Sequence, residues 1–413
     1  MANTPAAKRK IASSSAIALS RDRLFALITS LVRAEIESIR RKEFDAEAVA
    51  AWPEAMPLGA GGLEMDSIEL MQVSGVVDEF FHLHETGIEE YLLRYRTFGA
   101  WCDIVQQAFL NGHRRFTFRT SGSQGLPKPI CHRAANLMEE IAPLARLFRG
   151  RQRMVSLVAP HHIYGFLFSM LLPQALKVPV LIGHRWPIAK ILRRLAPGDL
   201  VIGYPLIWQQ LQRRARLLPR DVQGVTSTAP CDPNIIRSLL DLGLARMTEV
   251  YGSSETGGIG YRHDCNRPYR LFKYWQRGAP ASKKDHEFAL KRGREKAVFA
   301  PDTLAWSGVQ SFRPIARRDG AVQVAGVNVY PDDVARRLRE HPAIQDCIVR
   351  LMRADEGERL KAYVCLKRNY TAGALQANLE KWIFKQFKAP DRPVAITFGN
   401  ELPTTAAGKR SDW

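Results

Sequence analysis

Residues 120–128 read Thr-Ser-Gly-Ser-Gln-Gly-Leu-Pro-Lys and follow a short alternating run, Arg-Arg-Phe-Thr-Phe-Arg, at 114–119. The alternation has the period of a strand, and the segment after it concentrates glycine, hydroxyls and one lysine. Two readings stand. Gly, Ser and Pro are turn residues, so the segment can be a surface turn. It can also be a phosphate cradle. Gly122 and Gly125 let backbone N–H groups approach an anion, Thr120, Ser121 and Ser123 add donors, and Lys128 adds charge. The spacing is not that of a Walker loop, since Gly122, Gly125 and Lys128 lie three residues apart. The rest of the chain must decide between the two.

Composition sets the outer bounds. A chain of 413 residues with 46% hydrophobic and 24% charged residues is an ordinary globular protein, long enough for more than one core. The six cysteines (Cys102, Cys131, Cys231, Cys265, Cys347 and Cys365) are scattered and include no CxxC. That suits free thiols in a reducing, cytoplasmic setting and argues against a disulfide framework or a zinc site. The first 20 residues are expected to be a disordered tail and not a secretory signal. No apolar run is long enough for a transmembrane helix, so no membrane insertion is expected.

The formal net charge is +19, but it is uneven: Glu43–Leu93 holds twelve acidic residues and no Lys or Arg. Basic clusters lie at 146–153, 213–220 and 291–296. They lack aromatic interleaving and any nucleic-acid-binding signature, so nucleic acid is not the expected partner. Within 21–112 the spacing predicts four helices. Asp66 and Ser67 stand where the second begins, and Ile68, Met71, Val76, Val77 and Phe80 form its expected apolar stripe. This unit resembles an acyl or peptidyl carrier domain on the motif Asp66-Ser67-Ile68, which implies phosphopantetheine on Ser67. The competing reading is that Asp66 or Ser67 is simply a helix N-cap.

From about residue 113 onward several motifs stand in a fixed order: "TSGSQGLPKP" at 120–129, "APHHIYGF" at 159–166, "TSTAP" at 226–230, "VYGSSETGG" at 250–258, "APDTLAW" at 300–306, "FRPIARRDGAVQVAGVNVYPDDV" at 312–334 and "ELPTTAAGKRSDW" at 401–413. Together they resemble the adenylate-forming ligases, the superfamily of acyl- and aryl-CoA synthetases and peptide-synthetase adenylation domains. The resemblance implies a shortened α/β adenylation core over 113–317 and a mobile α+β lid over 318–413, behind the all-α carrier-like unit. It implies attack of a carboxylate on the α-phosphate of ATP with loss of pyrophosphate.

Residue by residue, the resemblance implies the following roles. The loop Thr120–Lys128 holds phosphates. Thr228, Ala229, Pro230, Tyr251, Gly252, Ser253 and Ser254 surround the nucleotide. Glu255 holds Mg²⁺, a hard cation that takes oxygen ligands. Asp302 and Arg317 serve the ribose, His162 lines the acyl pocket, and His161 is structural. Lys409 bridges the attacking carboxylate and ATP oxygens. Asp319 is the hinge and Gly326 borders the thiol tunnel.

Four positions depart from the pattern. Gln124 and Ser254 replace threonine, and Thr228 and Pro301 replace glycine. The family's long N-terminal region is also reduced to the helical unit. Either the fold is trimmed but complete, or the missing surface comes from that unit, a dimer partner or another protein. The motifs "HIYG" and "GAVQVAGVNVYP" look most like ligases for hydroxybenzoate-type aryl acids, with carrier-fused aryl polyene or xanthomonadin ligases as the nearest group. The acceptor would be a carrier-protein thiol, in cis or in trans. Free CoA and a non-catalytic scaffold that binds carriers are the alternatives.

Overall fold

The computed structural model describes residues 17, 19–112, 114–119, 128–280, 288–293, 297–300, 302–317, 320–324, 327–353, 355–403 and 413. No helix among them is long and apolar enough to cross a membrane.

The chain opens with helices α1 (Arg21–Arg40), α2 (Ala46–Ala50), α3 (Ser67–Phe81), α4 (Tyr91–Arg94) and α5 (Phe98–Leu110). Helix α1 buries Leu24, Leu27, Ile28, Leu31, Val32 and Ile36 on one face. Helix α3 begins with a capping box. The Asp66 carboxylate accepts from the Ile68 and Glu69 amides at 2.8 Å each, and Glu69 accepts from the Asp66 amide at 3.2 Å. Arg40, at the end of α1, donates to Glu69 at 2.7 Å and ties the two helices together. The cap fixes the rotation of α3, and its buried face differs from the expected stripe. Leu70, Val73, Val77, Phe80 and Phe81 point inward, while Ile68 and Met71 are 68% and 62% exposed.

A hairpin, β1 (Arg115–Arg119) paired with β2 (Pro129–Arg133), follows, with Arg119 opposite Pro129. Residues 120–128 therefore join its two strands. Helix α6 (Ala134–Leu147) then leads into the central sheet, through β3 (Arg153–Ser156), β4 (Val180–Ile182), β5 (Asp199–Gly203), β6 (Gln223–Thr226), β7 (Arg246–Ser253), β8 (Gly257–Arg262) and β9 (Tyr269–Leu271). A small hairpin of β10 (Gln276–Pro280) and β11 (Phe288–Lys291) precedes the last two sheet strands, β12 (Asp302–Trp306) and β13 (Ser311–Arg317). The order is β12-β13-β9-β8-β7-β6-β5-β3-β4, nine strands. From β4 to β7 every pairing is parallel; from β7 to β12 every pairing is antiparallel.

Strand side chains alternate between two cores, as the pleat requires. Val155 and Val201 pack with α7 (Ile188–Arg194), α8 (Pro205–Arg214) and α9 (Pro233–Asp241) through Ile191, Trp208, Leu211 and Leu239. Met154, Leu200, Ile202 and Val225 face the other way, into a cluster that also holds the buried side chains of α1, α3 and α5. Phe80 of α3 meets Phe116, Phe118 and Phe166 with ring centroids 5.3–6.0 Å apart. The helical unit at 21–112 thus shares its core with the sheet and covers one face of it. Of the sources expected for the missing surface, the helical unit is the one that supplies this cover.

A separate core lies in the C-terminal part, built from the hairpin β14 (Val322–Val324) and β15 (Val327–Val329), helix α10 (Pro331–Leu338), strands β16 (Ile344–Leu351), β17 (Leu360–Leu366) and β18 (Pro393–Gly399), and helix α11 (Ala372–Gln386). This is a small α+β unit, as the sequence led one to expect.

Candidate active site

In open α/β sheets ligands bind beyond the carboxyl ends of parallel strands. Three of the motifs and Tyr204 lie there. "APHHIYGF" follows β3, Tyr204 follows β5, "TSTAP" follows β6, and "VYGSSETGG" runs from β7 through a turn into β8. Strand ends hold the flanking residues still, while the loops remain open to a ligand.

The segments after β6 and β7 are joined. The Ser227 hydroxyl donates to the Val250 carbonyl at 2.7 Å. Thr228 is exposed and has φ of 78°, in the left-handed region that penalises β-branched side chains. That is the physical reason for glycine at this position in the pattern. Gly252 cannot carry a side chain without rearrangement, since a Cβ there would lie 2.3 Å from the Gly257 carbonyl oxygen. His132, on β2, contacts the Ser254 carbonyl at 2.6 Å and links the β1–β2 hairpin to the Ser254–Thr256 turn. Glu255 is exposed in that turn.

Tyr251 does more than present a ring. Its hydroxyl donates to Asp302 at 2.6 Å, and its ring packs edge-on against Phe312 at 5.4 Å. Asp302 in turn stands directly opposite Arg317 in the β12–β13 ladder. Two residues assigned to one sugar by motif are thus cross-strand neighbours, with Tyr251 at the same point. Lys128 is exposed one residue before β2. Thr120, Ser121, Gly122, Ser123, Gly125, Asp319, Gly326 and Lys409 lie outside the described residues.

His162 is open to solvent yet surrounded deeply by protein, which holds its imidazole below the usual pKa. Its ring stands in the protein wall beside the loop after β4, where His184 lies close enough to feel its charge. His161 packs against it with centroids 4.4 Å apart and pairs with Ser30 Oγ of α1 at 2.7 Å, which fits its expected structural role. Two residues that motif reading missed belong to the same wall. Burial and the neighbouring Arg185 push His184 down to about 3, and burial raises Tyr204. Neither lies in a recognisable motif, and only the fold brings the loops after β4 and β5 beside the loop after β3.

A third missed residue is Glu140 of α6. It is buried, and desolvation pushes it up to about 7 against the pull of the Gly258 amide and Arg292. It accepts from the Gly258 amide at 2.8 Å, just beyond the turn that carries Glu255. Gly257 beside it has φ of 69°, and a Cβ there would lie 2.5 Å from the carboxylate. The two glycines after Glu255 are therefore small because Glu140 occupies the space.

Comparison with known proteins agrees with this geometry. The AMP-binding enzyme family model matches residues 116–283, and the AMP-binding enzyme C-terminal domain matches 333–409. The 4-coumarate–CoA ligase of Halorhodospira halophila is 35% identical over 393 residues, covering 95% of this chain and 99% of the relative. The chain belongs to the AMP-binding enzymes.

As such it is an AMP-forming acid–thiol ligase that activates its acid with ATP. The 4-coumarate–CoA ligase of Rhodobacter capsulatus is 36% identical, over 94% of this chain and 99% of the relative. These relatives are CoA ligases, which corrects the expected likeness to carrier-fused aryl polyene or xanthomonadin ligases. An o-succinylbenzoate CoA synthetase double mutant from Bacillus subtilis shares the fold at TM-score 0.59 and 14% identity, over 94% of this chain and 91% of that one. The amide bond synthetase McbA from Marinactinospora thermotolerans shares it at TM-score 0.58 and 17% identity, over 71% and 67%.

Proposed function

We propose that the protein is an aryl-acid–CoA ligase acting on a hydroxycinnamate-type acid. The observation that carries this is coverage. Relatives named 4-coumarate–CoA ligase align over nearly their whole length, and the aligned share of this chain is too large to leave out the N-terminal helices. Those helices share a core with the sheet, so they serve as the ligase's own N-terminal unit and not as an appended carrier. Asp66 and Ser67 then need no role beyond starting α3, and phosphopantetheine on Ser67 is not part of the proposal.

The substrate carboxylate attacks the α-phosphorus of ATP, and the bond to pyrophosphate breaks. The CoA thiolate then attacks the acyl carbonyl of the adenylate and expels AMP. Lys128 and the donors of 120–127 neutralise and position the phosphates. The Glu255 carboxylate, exposed in its turn, is an oxygen donor suited to Mg²⁺, which would supply charge neutralisation beside pyrophosphate. Tyr251 packs on adenine, Asp302 accepts from a ribose hydroxyl, and Arg317 donates beside it. Thr228, Ala229 and Pro230 border the base. Lys409 places a positive charge between carboxylate and phosphate as charge shifts.

The acid sits beside His162, His184 and Tyr204. Neutral imidazoles and a phenol suit a flat aryl ring and can hydrogen-bond a ring hydroxyl. The basic surface suits CoA, which is polyanionic. After adenylation the lid turns about Asp319, withdraws Lys409 and brings Gly326 to the pantetheine path.

Pyrophosphate exchange into ATP tests the first step. It should require one of a panel of cinnamates and benzoates and fall at least about 100-fold in Lys409→Ala. Exchange driven equally by fatty acids, or unchanged in the variant, would remove the aryl-acid reading.

A further inference from the structure

We propose a zinc-type metal site at the end of α3, formed by His82, His84 and Glu85. One ring nitrogen of each histidine and a Glu85 carboxylate oxygen all lie within 4.8 Å of one another. The His82 Nδ1 to Glu85 Oε1 distance is 3.4 Å. Two ligands each about 2.0–2.1 Å from a tetrahedral zinc stand about 3.3–3.4 Å apart, so this edge is already at coordination length.

The backbone builds the cluster. Helix α3 ends at His82, whose φ of 49° reverses the chain, and a single 3₁₀ turn runs over Leu83–Glu85. Leu83 is fully buried between the two histidines; His84 is exposed, while His82 is largely covered against β1 and β2. The outer contacts are those of a metal centre. His82 Nε2 pairs with Thr117 Oγ1 at 2.8 Å, and His84 Nδ1 pairs with the Asp78 carboxylate at 3.0 Å. Such partners fix the ring and leave the other nitrogen to the metal. Asp78 also accepts from the His84 amide at 2.9 Å. The surrounding charge is mixed. Asp78 and Glu85 come from the acidic stretch, while Arg115 of β1 donates to Glu85 at 3.0 Å and competes with a cation for it.

The location suggests a consequence. Thr117 lies on β1, and Cys131 of β2 has its sulfur 3.6 Å from His82 Nε2. An ion held here fastens the end of α3 to the hairpin whose strands the phosphate loop joins. The cysteine is not a ligand in this arrangement.

The probe is Co²⁺, titrated into untagged, chelator-treated full-length protein in the absence of nucleotide. One Co²⁺ per chain should bind with the visible absorption of a four-coordinate ion, and Zn²⁺ should displace it. His84→Ala, at an exposed position, should weaken binding about 10- to 100-fold. His82→Asn, which keeps a residue tolerant of positive φ, should do the same, with unchanged circular dichroism in both. Arg115→Gln should tighten binding by releasing Glu85. Bound Zn²⁺ should also slow amide exchange in β1 and β2. Binding no tighter in the wild type than in His84→Ala, or stoichiometric binding that survives both histidine variants, would overturn the site.

Discussion

At the residue scale, Thr228 and Asp302 give opposite tests. Thr228 holds a φ of 78° that glycine adopts without strain. Thr228→Gly should raise stability by about 0.5–1 kcal/mol, since relief of the left-handed penalty outweighs the extra chain entropy of glycine. Urea unfolding measures it, and a lower midpoint would contradict the strain argument. Asp302 takes the Tyr251 hydroxyl at 2.6 Å and stands across the ladder from Arg317. Asp302→Ala should raise KM for ATP about 10- to 100-fold, the worth of a hydrogen bond to a charged group, and leave KM for the acid nearly unchanged. Equal effects on both would move Asp302 away from the nucleotide.

Both residues were legible from their motifs. What the sequence hid at this scale were groups that act from outside a motif, namely His184, Tyr204 and Glu140. Their chemistry comes from burial beside loops distant in sequence, and no spacing records that.

At the scale of the element, α3 and the β7–β8 turn carry the tests. Helix α3 is set by its capping box, and Asp66→Ala removes two acceptor contacts. It should cost about 1 kcal/mol in unfolding free energy while leaving turnover intact at temperatures where the protein stays folded. Ser67→Ala should change neither, and the intact mass of protein from a host with a phosphopantetheinyl transferase should show no added arm. Mass added at Ser67 would restore the carrier reading. The existence of α3 was readable from Asp66 and the apolar run, but its rotation was not. Ile68 and Met71 are apolar yet exposed, and hydrophobicity alone could not tell them from Leu70 and Val73.

The β7–β8 turn rests on Glu140, whose folded pKa, about 7, lies above that of an ordinary carboxyl. Below the unfolded pKa, about 4.3, both states are protonated and the carboxyl adds no penalty. Between there and about 7 the unfolded chain releases its proton first, so wild-type stability falls as pH rises, and the full cost remains above that range. Glu140→Gln keeps an acceptor for the Gly258 amide and does not titrate. Its advantage over wild type should grow by about 3 kcal/mol from pH 4.5 to pH 8, measured by denaturant unfolding. An advantage independent of pH would show that Glu140 is ionised throughout.

At the scale of the whole molecule, the nucleotide half of the fold was readable because its motifs fall at the carboxyl ends of successive strands in a fixed order. The boundary drawn at residue 112 was not a boundary of packing. Phe80 sits among Phe116, Phe118 and Phe166, so the helices close the sheet's own core. A helical stretch with an acidic Asp-Ser start reads alike in a free-standing four-helix unit and in a cover for a sheet. Only the partner of its apolar face tells them apart. The scattered cysteines likewise gave no sign of the cluster at His82, because its donors are imidazoles and a carboxylate.

Joining an aryl acid to free CoA should need this chain alone. The direct measurement is mass-spectrometric detection of the thioester and AMP after purified protein is mixed with 4-coumarate, Mg·ATP and free CoA, without any carrier protein. 4-Coumaroyl-CoA and AMP should appear in equal amounts, formed as readily by Ser67→Ala as by the wild type. Pyrophosphate exchange with 4-coumarate but no CoA thioester, together with acyl transfer to a carrier protein, would contradict this.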